Sequence, residues 1–226
     1  MSTVIYTAIV GGFDLLHKQK WTQDVDYIMF TDRPHDVKNA GKWQIIELPS
    51  VPHLDSRRLS KVPKTNPHAF PELRAYDYTI WVDGSIAIKN PSFPHEFMAH
   101  LNQSGLLLSP HFDDRHCSYG EGELCAGLRR FQGEPFNDQM AYYRQEGFPT
   151  DMGLYETGVI GRNMQDKNVE KFGSIWLNQN LWWSFRDQVS ISYALWKTEY
   201  KPDVLPKSFR KYNWLTVNAH TPRRQK

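Results

Sequence analysis

The stretch from Tyr78 to Ile86 constrains the fold more than any other part of the chain. Its residues Thr79 to Val82 all favour strands and show no polar alternation, which is typical of a central strand buried on both faces. We expect Gly84 to end this strand, because glycine reaches backbone angles that other residues avoid. Asp83 is therefore predicted to lie at the carboxyl end of a buried strand, where open α/β sheets bind their ligands.

A carboxylate at this position has two functional interpretations and one structural interpretation. It can hold a divalent cation through oxygen, or it can accept hydrogen bonds from the hydroxyl groups of a ligand. The structural alternative is an acid that caps the next turn. The stretches described below favour the functional interpretations.

The remaining patterns predict the fold class. Strands are expected at residues 4–10, 26–32, 43–48, 105–110 and 153–162, and helices at residues 96–103, 136–146, 168–181 and 188–197. Alternating strands and helices predict an α/β fold, a single Rossmann-like domain over residues 1–226 with a mainly parallel central sheet flanked by helices. The length of 226 residues suits one such domain. The basic tail from about residue 221 is expected to be a frayed terminus.

Composition excludes several classes of protein. Two cysteines, Cys117 and Cys125, are too few for a disulfide scaffold, so a reducing compartment is the default. The formal net charge of +2 gives no global signature of polyanion binding. The chain starts without a basic leader, and no run approaches the roughly 18 apolar residues of a membrane span. The protein is therefore predicted to be soluble and cytoplasmic.

Two loops that follow predicted strands are candidates to bind a nucleotide base and ribose. Gly11 and Gly12 follow the first strand, and a glycine pair lets the backbone approach a ligand closely. Their surroundings lack the GxGxxG and GK[ST] patterns, so neither a dinucleotide fingerprint nor a P-loop is supported. Asp32 ends the second strand and suits a base or ribose, although a turn-forming aspartate explains it equally well.

The segment from Ser56 to His68 is the most cationic part of the chain and contains no acid. An exposed helix face would usually mix charges of both signs. Arginine forms bidentate contacts with phosphate, and lysine supplies a compact charge. We interpret the segment as a pyrophosphate clamp in which Arg58, Lys61 and Lys64 carry the charge. A plain basic surface is the alternative.

Two acids nearer the carboxyl terminus are further candidates. Glu156 lies in the predicted strand 153–162, which would carry it towards the pocket. Asp187 directly precedes the predicted helix 188–197. As an N-cap it would stabilise that helix by about 1 kcal/mol, which is its structural interpretation.

Several of these segments together form a pattern in chain order. They are Gly11-Gly12-Phe13-Asp14, Phe30-Thr31-Asp32, Lys61 with Lys64-Thr65-Asn66-Pro67-His68, Trp81-Val82-Asp83-Gly84-Ser85 and Arg186-Asp187-Gln188. The pattern resembles the TOD1/MUCI70 glycosyltransferase-like domain over roughly residues 4 to 200. The resemblance implies a GT-A-type transferase, similar in layout to the glycogenin-like enzymes, which uses a nucleotide sugar and often Mn²⁺ or Mg²⁺. It adds Asn66, His68, Gly84 and Ser85 to the expected donor-binding residues.

The resemblance also implies a metal site, from which this chain departs. GT-A folds carry an Asp-x-Asp motif where this sequence has Asp83, Gly84 and Ser85. The second acid is missing, so we expect a weaker metal site, or transfer that needs no metal. A histidine near the carboxyl terminus often completes the site in related transferases. His220 is therefore the candidate ligand, and His111 and His116 are alternatives.

The resemblance implies roles for three residues. Asp187 and Gln188 would face the donor sugar. Glu156 or Asp187 would deprotonate a hydroxyl of a glycan or other acceptor in an inverting enzyme, or stabilise an oxocarbenium-like centre in a retaining one. Two other functions stay open from the sequence. One is a non-catalytic carbohydrate- or nucleotide-binding protein, and the other is a transferase that acts on modified nucleic-acid bases.

Overall fold

The computed structural model describes residues 1–113 and 115–220. Its strands are β1 (Thr3–Ala8), β2 (Asp26–Thr31), β3 (Gln44–Glu47), β4 (Tyr78–Val82), β5 (Ile86–Ile88), β6 (Leu106–Pro110), β7 (Tyr155–Asn163), β8 (Asp203–Val204) and β9 (Leu215–Val217). Its α-helices are α1 (Ser56–Thr65), α2 (Pro71–Arg74), α3 (Phe93–Met98), α4 (Ser118–Ala126), α5 (Phe136–Gln145), α6 (Lys167–Trp182) and α7 (Asp187–Lys197).

The central sheet of this described part has seven strands in the order β3-β2-β1-β4-β7-β6-β8. Strands β3, β2, β1 and β4 are parallel, and β7 is antiparallel to both of its neighbours. Strand β8 is parallel to β6. Six strands therefore run in one direction and β7 runs against them. The predicted α/β fold with a mainly parallel central sheet is confirmed.

The predicted central strand is β4, which pairs with β1 on one side and β7 on the other. Its residues from Thr79 to Val82 are buried. Trp81 packs into the apolar cluster on one face of the sheet, whereas Ile80 and Val82 pack into the cluster on the opposite face. Successive side chains of a strand point to opposite faces, so an uninterrupted apolar run requires apolar layers on both.

The explanation that we gave for Gly84 is wrong. Its φ is not positive, in contrast to that of Gly11 and Gly12. A Cβ atom at residue 84 would lie 2.8 Å from Cγ1 of Ile9. Glycine is required there because the turn after β4 lies against the end of β1, and a larger side chain would collide with Ile9.

Helices α2 and α4 were not predicted, and α1 and α3 differ from the expectations in ways that affect the site. Residues 56–68 were interpreted as a basic clamp without a secondary structure, but Ser56–Thr65 forms α1. Asp55 caps it by accepting hydrogen bonds from the backbone N–H groups of Arg57 and Arg58. The helix expected at residues 96–103 is α3, Phe93–Met98, which begins earlier because Pro94 lies in its first turn, a position that suits proline.

A second, two-stranded sheet brings the carboxyl-terminal segment to the end of β4. Strand β5 pairs antiparallel with β9, and Asn218 donates to the backbone carbonyl of Ser85. No helix of the described residues is long and apolar enough to cross a membrane. The predicted basic tail lies outside the described residues, and the single-domain and cytoplasmic assignments stay predictions.

Gly173 of α6 tests how closely α6 approaches α1. A Cβ atom at residue 173 would lie 2.8 Å from the backbone carbonyl oxygen of Thr65, which cannot rotate away. We expect Gly173→Ala to reduce the free energy of unfolding by about 1–3 kcal/mol. Gly120 in α4 is the control, because nothing lies within 4 Å of its added Cβ. Gly120→Ala should instead stabilise the helix by about 0.5–1 kcal/mol. Urea denaturation measures the free energy of unfolding of both variants. Equal changes in the two would contradict the close approach of α6 to α1.

Candidate active site

A cleft of about 390 Å³ opens at the carboxyl ends of β1 and β4. This volume falls in the range of roughly 300–1,000 Å³ that is usual for small-molecule sites. Since β7 is antiparallel to β4, its first residues lie at the same edge of the sheet, so Glu156 also lines the cleft. Helix α1, the start of α7 and the carboxyl-terminal segment complete the walls.

One face of α1 supplies cations to the cleft. Arg57, Lys61 and Lys64 follow one another at spacings of four and three residues, and all three line the cleft. Such spacings place side chains on one helix face. Arg58 does not line the cleft. Its guanidinium pairs with Asp55 and Glu134, both at 2.7 Å, so the geometry gives no support to a donor-binding role for Arg58.

The centre of the cleft is a lysine–carboxylate cluster formed by Lys61, Lys64, Asp83 and Asp187. Nζ of Lys64 lies 2.8 Å from Oδ1 of Asp83 and 2.5 Å from Oδ2 of Asp187. Nζ of Lys61 lies 3.0 Å from the same Oδ2 of Asp187. The side chains of Lys64 and Asp187 are 1% and 3% exposed, whereas that of Asp83 is 36% exposed. Two buried charges therefore neutralise each other below a carboxylate that faces the cleft.

The contacts within the cluster favour the charged forms of Lys64 and Asp187. Burial alone would raise the pKa of Asp187, but Lys61, Lys64 and Arg186 outweigh burial and hold that pKa far below its ordinary value. Burial alone would lower the pKa of Lys64, but Asp187 and Asp83 outweigh it and raise the pKa. For Lys61 burial prevails, and its pKa is lowered.

Asp187 is not the N-cap of α7. The cap position is Arg186, whose side chain makes no capping hydrogen bond, although Oδ1 of Asp187 accepts a hydrogen bond of 3.1 Å from the N–H of Gln188. Asp187 is the first helical residue, and its Oδ2 atom is held by two lysines. The structural interpretation of Asp187 as an N-cap is therefore wrong. Its carboxylate is instead the counterion of Lys61 and Lys64 in α1.

Gln188 and Glu156 are both buried and both line the cleft. Glu156 pairs with Arg210, and its Oε2 atom accepts a hydrogen bond of 2.7 Å from the hydroxyl of Ser208. The Oε1 atom of Gln188 is buried and has no hydrogen-bond partner among the described residues. A buried acceptor without a partner costs about 1–3 kcal/mol.

A hydrogen bond connects Asp32 to the loop that contains Gly11 and Gly12. Gly11 and Gly12 both have positive φ, and the N–H of Gly11 donates to Oδ1 of Asp32 at 2.9 Å. Gly11 lines a groove that continues from the cleft past Phe13 and Arg57. Neither Gly12 nor Asp32 lines the cleft itself. Asp32 therefore holds the loop, and its predicted contact with a base or ribose stays a prediction.

The other expected donor-binding residues divide into two groups. Gly84 and Ser85 line the cleft directly after Asp83. Asn66 and His68 do not, because both follow the buried end of α1. Nε2 of His68 lies 3.3 Å from the backbone oxygen of Met164, and burial lowers the pKa of this histidine. His68 thus contacts the backbone of Met164, Oδ1 of Asn66 has no hydrogen-bond partner among the described residues, and the geometry does not support a donor-binding role for either.

Sequence reasoning missed an arginine–aromatic rim around the mouth of the cleft. Its arginines are Arg57, Arg130, Arg186 and Arg210, and each lies over a phenylalanine ring at 4.8–5.9 Å from the ring centroid. The spacing from Lys61 would have identified Arg57 if α1 had been recognised as a helix. The other three come from distant segments, and no local pattern marks them.

The residues around Asp83 do not fit a divalent metal ion. Its Oδ1 atom already accepts hydrogen bonds from Lys64 and from the indole of Trp81, both at 2.8 Å. A divalent ion on the other carboxylate oxygen would lie close to the ammonium of Lys64, and the repulsion between these two positive charges would weaken its binding. Within residues 1–113 and 115–220 no three His, Cys, Asp or Glu side chains are grouped to hold a metal.

The candidate histidine ligands do not complete a metal site at Asp83 either. His220 lines the cleft, and its Nδ1 atom lies 3.0 Å from a carboxylate oxygen of Asp14. His111 pairs with Asp113 and, like His116, does not line the cleft. The expected Mn²⁺ or Mg²⁺ site thus lacks a set of protein ligands in the described residues.

Comparison with known proteins identifies the family. The model of the TOD1/MUCI70, glycosyltransferase-like domain matches residues 3–220. The chain belongs to this family. A TOD1/MUCI70 relative from Arabidopsis thaliana, a probable hexosyltransferase MUCI70, is 26% identical over 166 residues, which are 69% of this chain and 28% of the relative. The chain thus spans less than a third of that protein. The apo structure of WbbM, a bifunctional glycosyltransferase, aligns with 91% of this chain and 38% of its own, with a TM-score of 0.47 and 11% identity.

A substitution of Lys64 tests how much the buried lysine–carboxylate cluster stabilises this TOD1/MUCI70 domain. We expect Lys64→Met to reduce the free energy of unfolding by about 3 kcal/mol or more, because Asp187 stays buried with one of its two lysines removed. Lys197 is the control, since it forms an exposed ion pair with Glu146. Lys197→Met should cost less than about 1 kcal/mol. Urea denaturation at pH 7 measures both, and equal losses would show that Lys64 is an ordinary surface lysine.

Proposed function

We propose that the protein is a glycosyltransferase that binds a nucleotide sugar in this cleft and transfers the sugar to a hydroxyl group of a glycan or similar acceptor. The observation that carries the proposal is the buried lysine–carboxylate cluster at the carboxyl edge of the sheet. It lies in a cleft of suitable volume, in a chain of a glycosyltransferase-like family. The site is proposed to act in the cytoplasm.

Departure of the nucleoside diphosphate is the step that this site would assist. Negative charge develops on the diphosphate as the glycosidic bond breaks, and fixed cations lower the energy of that state. Lys61 lies in the cleft with one ion-pair partner among the described residues, so its remaining N–H groups can meet a phosphate oxygen. Lys64 would hold Asp83 and Asp187 in place.

The acids would have different roles. Asp187 is a poor base, because two lysines and Arg186 hold its pKa far below its ordinary value. It would instead place fixed negative charge near the positive charge that develops on the sugar. Gln188 lines the cleft, and a turn of its side-chain amide would let the buried, unpaired Oε1 atom accept a hydrogen bond from a sugar hydroxyl. Glu156 is the remaining candidate for the base that receives the acceptor proton.

Gln188 gives the sharpest test of sugar recognition. We expect Gln188→Ala to lower kcat/KM for the nucleotide sugar by about three- to tenfold, the equivalent of one neutral hydrogen bond. The melting temperature of the Gln188→Ala variant should stay close to that of the unchanged protein. The substitution removes no hydrogen bond of Oε1, because this atom has no partner among the described residues. Gln145→Ala is the control, since Gln145 is exposed at the end of α5 and does not line the cleft. Steady-state hydrolysis of a panel of nucleotide sugars supplies the rates.

Two outcomes would contradict the proposal. Equal rates for Gln188→Ala and the unchanged protein would remove Gln188 from the sugar site. Thermal stabilisation by a nucleotide sugar without any hydrolysis or transfer would favour the non-catalytic binding protein instead. A ligand at 100 times its dissociation constant stabilises by about 2.7 kcal/mol, so such binding is readily measured.

A further inference from the structure

We propose that the cleft binds the diphosphate of its donor with the protein's own lysine and arginine side chains, and that no divalent metal ion takes part. The inference rests on the proposed function, because it concerns the leaving group of that reaction. It replaces the expectation of Mn²⁺ or Mg²⁺ that the sequence suggested.

The first observation is the charge balance of the cleft. Its cationic residues are Arg57, Lys61, Lys64, Arg130, Arg186 and Arg210. Its carboxylates are Asp14, Asp83, Glu156 and Asp187. Among the described residues the lining thus has more cations than carboxylates. Such a lining favours a diphosphate, which carries a negative charge on each phosphate, without a further cation.

The second observation is that two of these arginines have no carboxylate partner among the described residues. Lys61 and Lys64 pair with Asp187 and Asp83, and Arg210 and Arg186 pair with Glu156 and Glu121. Arg57 and Arg130 have no carboxylate within 4.0 Å among the described residues, although both line the cleft and are exposed. They are therefore the cations that are available to an anion.

Arg57 and Arg130 lie side by side, and phenylalanine rings hold both. Nη1 of Arg57 donates to the backbone oxygen of Arg130 at 3.0 Å. The guanidinium of Arg57 lies 4.9 Å from the ring centroid of Phe185, and that of Arg130 lies 4.8 Å from that of Phe131. Stacking engages the face of a guanidinium and leaves the N–H groups at its edge free for bidentate contacts with phosphate.

The third observation is the place of Lys64. A metal-binding transferase of this layout needs the oxygens of Asp83 for its ion. Here the ammonium of Lys64 bonds to one of those oxygens and to Asp187, and it is buried between them. The lysine thus holds a fixed positive charge beside Asp83, and Lys61 and Arg57 extend the row of cations along α1 towards the rim.

Inorganic pyrophosphate is the probe that tests the inference without knowledge of the nucleotide. Isothermal titration of the whole protein should give the same dissociation constant, within about twofold, in EDTA and in excess Mn²⁺ at equal free pyrophosphate. Arg57→Ala and Arg130→Ala should each weaken binding by about tenfold or more, the usual loss for a charge-assisted hydrogen bond. Arg129→Ala is the control, because Arg129 is exposed beside Arg130 but does not line the cleft. It should change the constant by less than about twofold.

Pyrophosphate binding that requires Mn²⁺, or that survives both arginine substitutions unchanged, would overturn the inference. Both arginines are exposed, so melting temperatures close to that of the unchanged protein will show that the variants fold. The outcome is separable from that of the proposed function. Nucleotide-sugar turnover that is lost in EDTA would overturn this inference alone. Metal-free pyrophosphate binding without turnover of any nucleotide sugar would overturn the proposed function alone.

Discussion

The ion pair between Lys64 and Asp187 is the interaction on which the rest of the site depends. Taking two charges out of water costs several kcal/mol for each ion, so the pair persists only with close geometry and further partners. Asp83 supplies one partner, and the hydroxyl of Thr157 lies 3.3 Å from Nζ of Lys64. The buried guanidinium of Arg162 donates to the backbone oxygen of Lys64 at 2.7 Å and fixes the end of α1. One lysine thereby joins α1, β4, β7 and α7.

The topology explains why these elements meet where a ligand can reach them. The carboxyl ends of β1 and β4 lie at one edge of the sheet, and the antiparallel β7 begins at that same edge. Strand β9 pairs with β5 and brings His220 and Asn218 to the wall of the cleft. The cluster therefore lies in a concave site whose floor is rigid sheet. Fixed charges in such a site need no rearrangement when a leaving group develops charge.

The sequence could predict the parts of the site that local patterns specify. The uninterrupted apolar run of β4 located Asp83, and the absence of acids between Ser56 and His68 marked the cationic segment. The role of Lys64 could not be predicted, because its counterion Asp187 is 123 positions away in the printed numbering. Arg57 was not predicted, because the segment was interpreted without a secondary structure, and only a helix places Arg57 on the same face as Lys61 and Lys64. Family resemblance suggested Asn66 and His68, but burial at the end of α1 removes them from the cleft.

We propose that protein cations alone meet the diphosphate. The most direct measurement is a crystal structure of the protein soaked with inorganic pyrophosphate and Mn²⁺, with anomalous diffraction recorded for manganese. We expect the pyrophosphate to contact Arg57 and Lys61, and no manganese signal beside Asp83. A manganese peak that bridges Asp83 and the pyrophosphate would contradict the account, because the ammonium of Lys64 would then have had to leave that carboxylate.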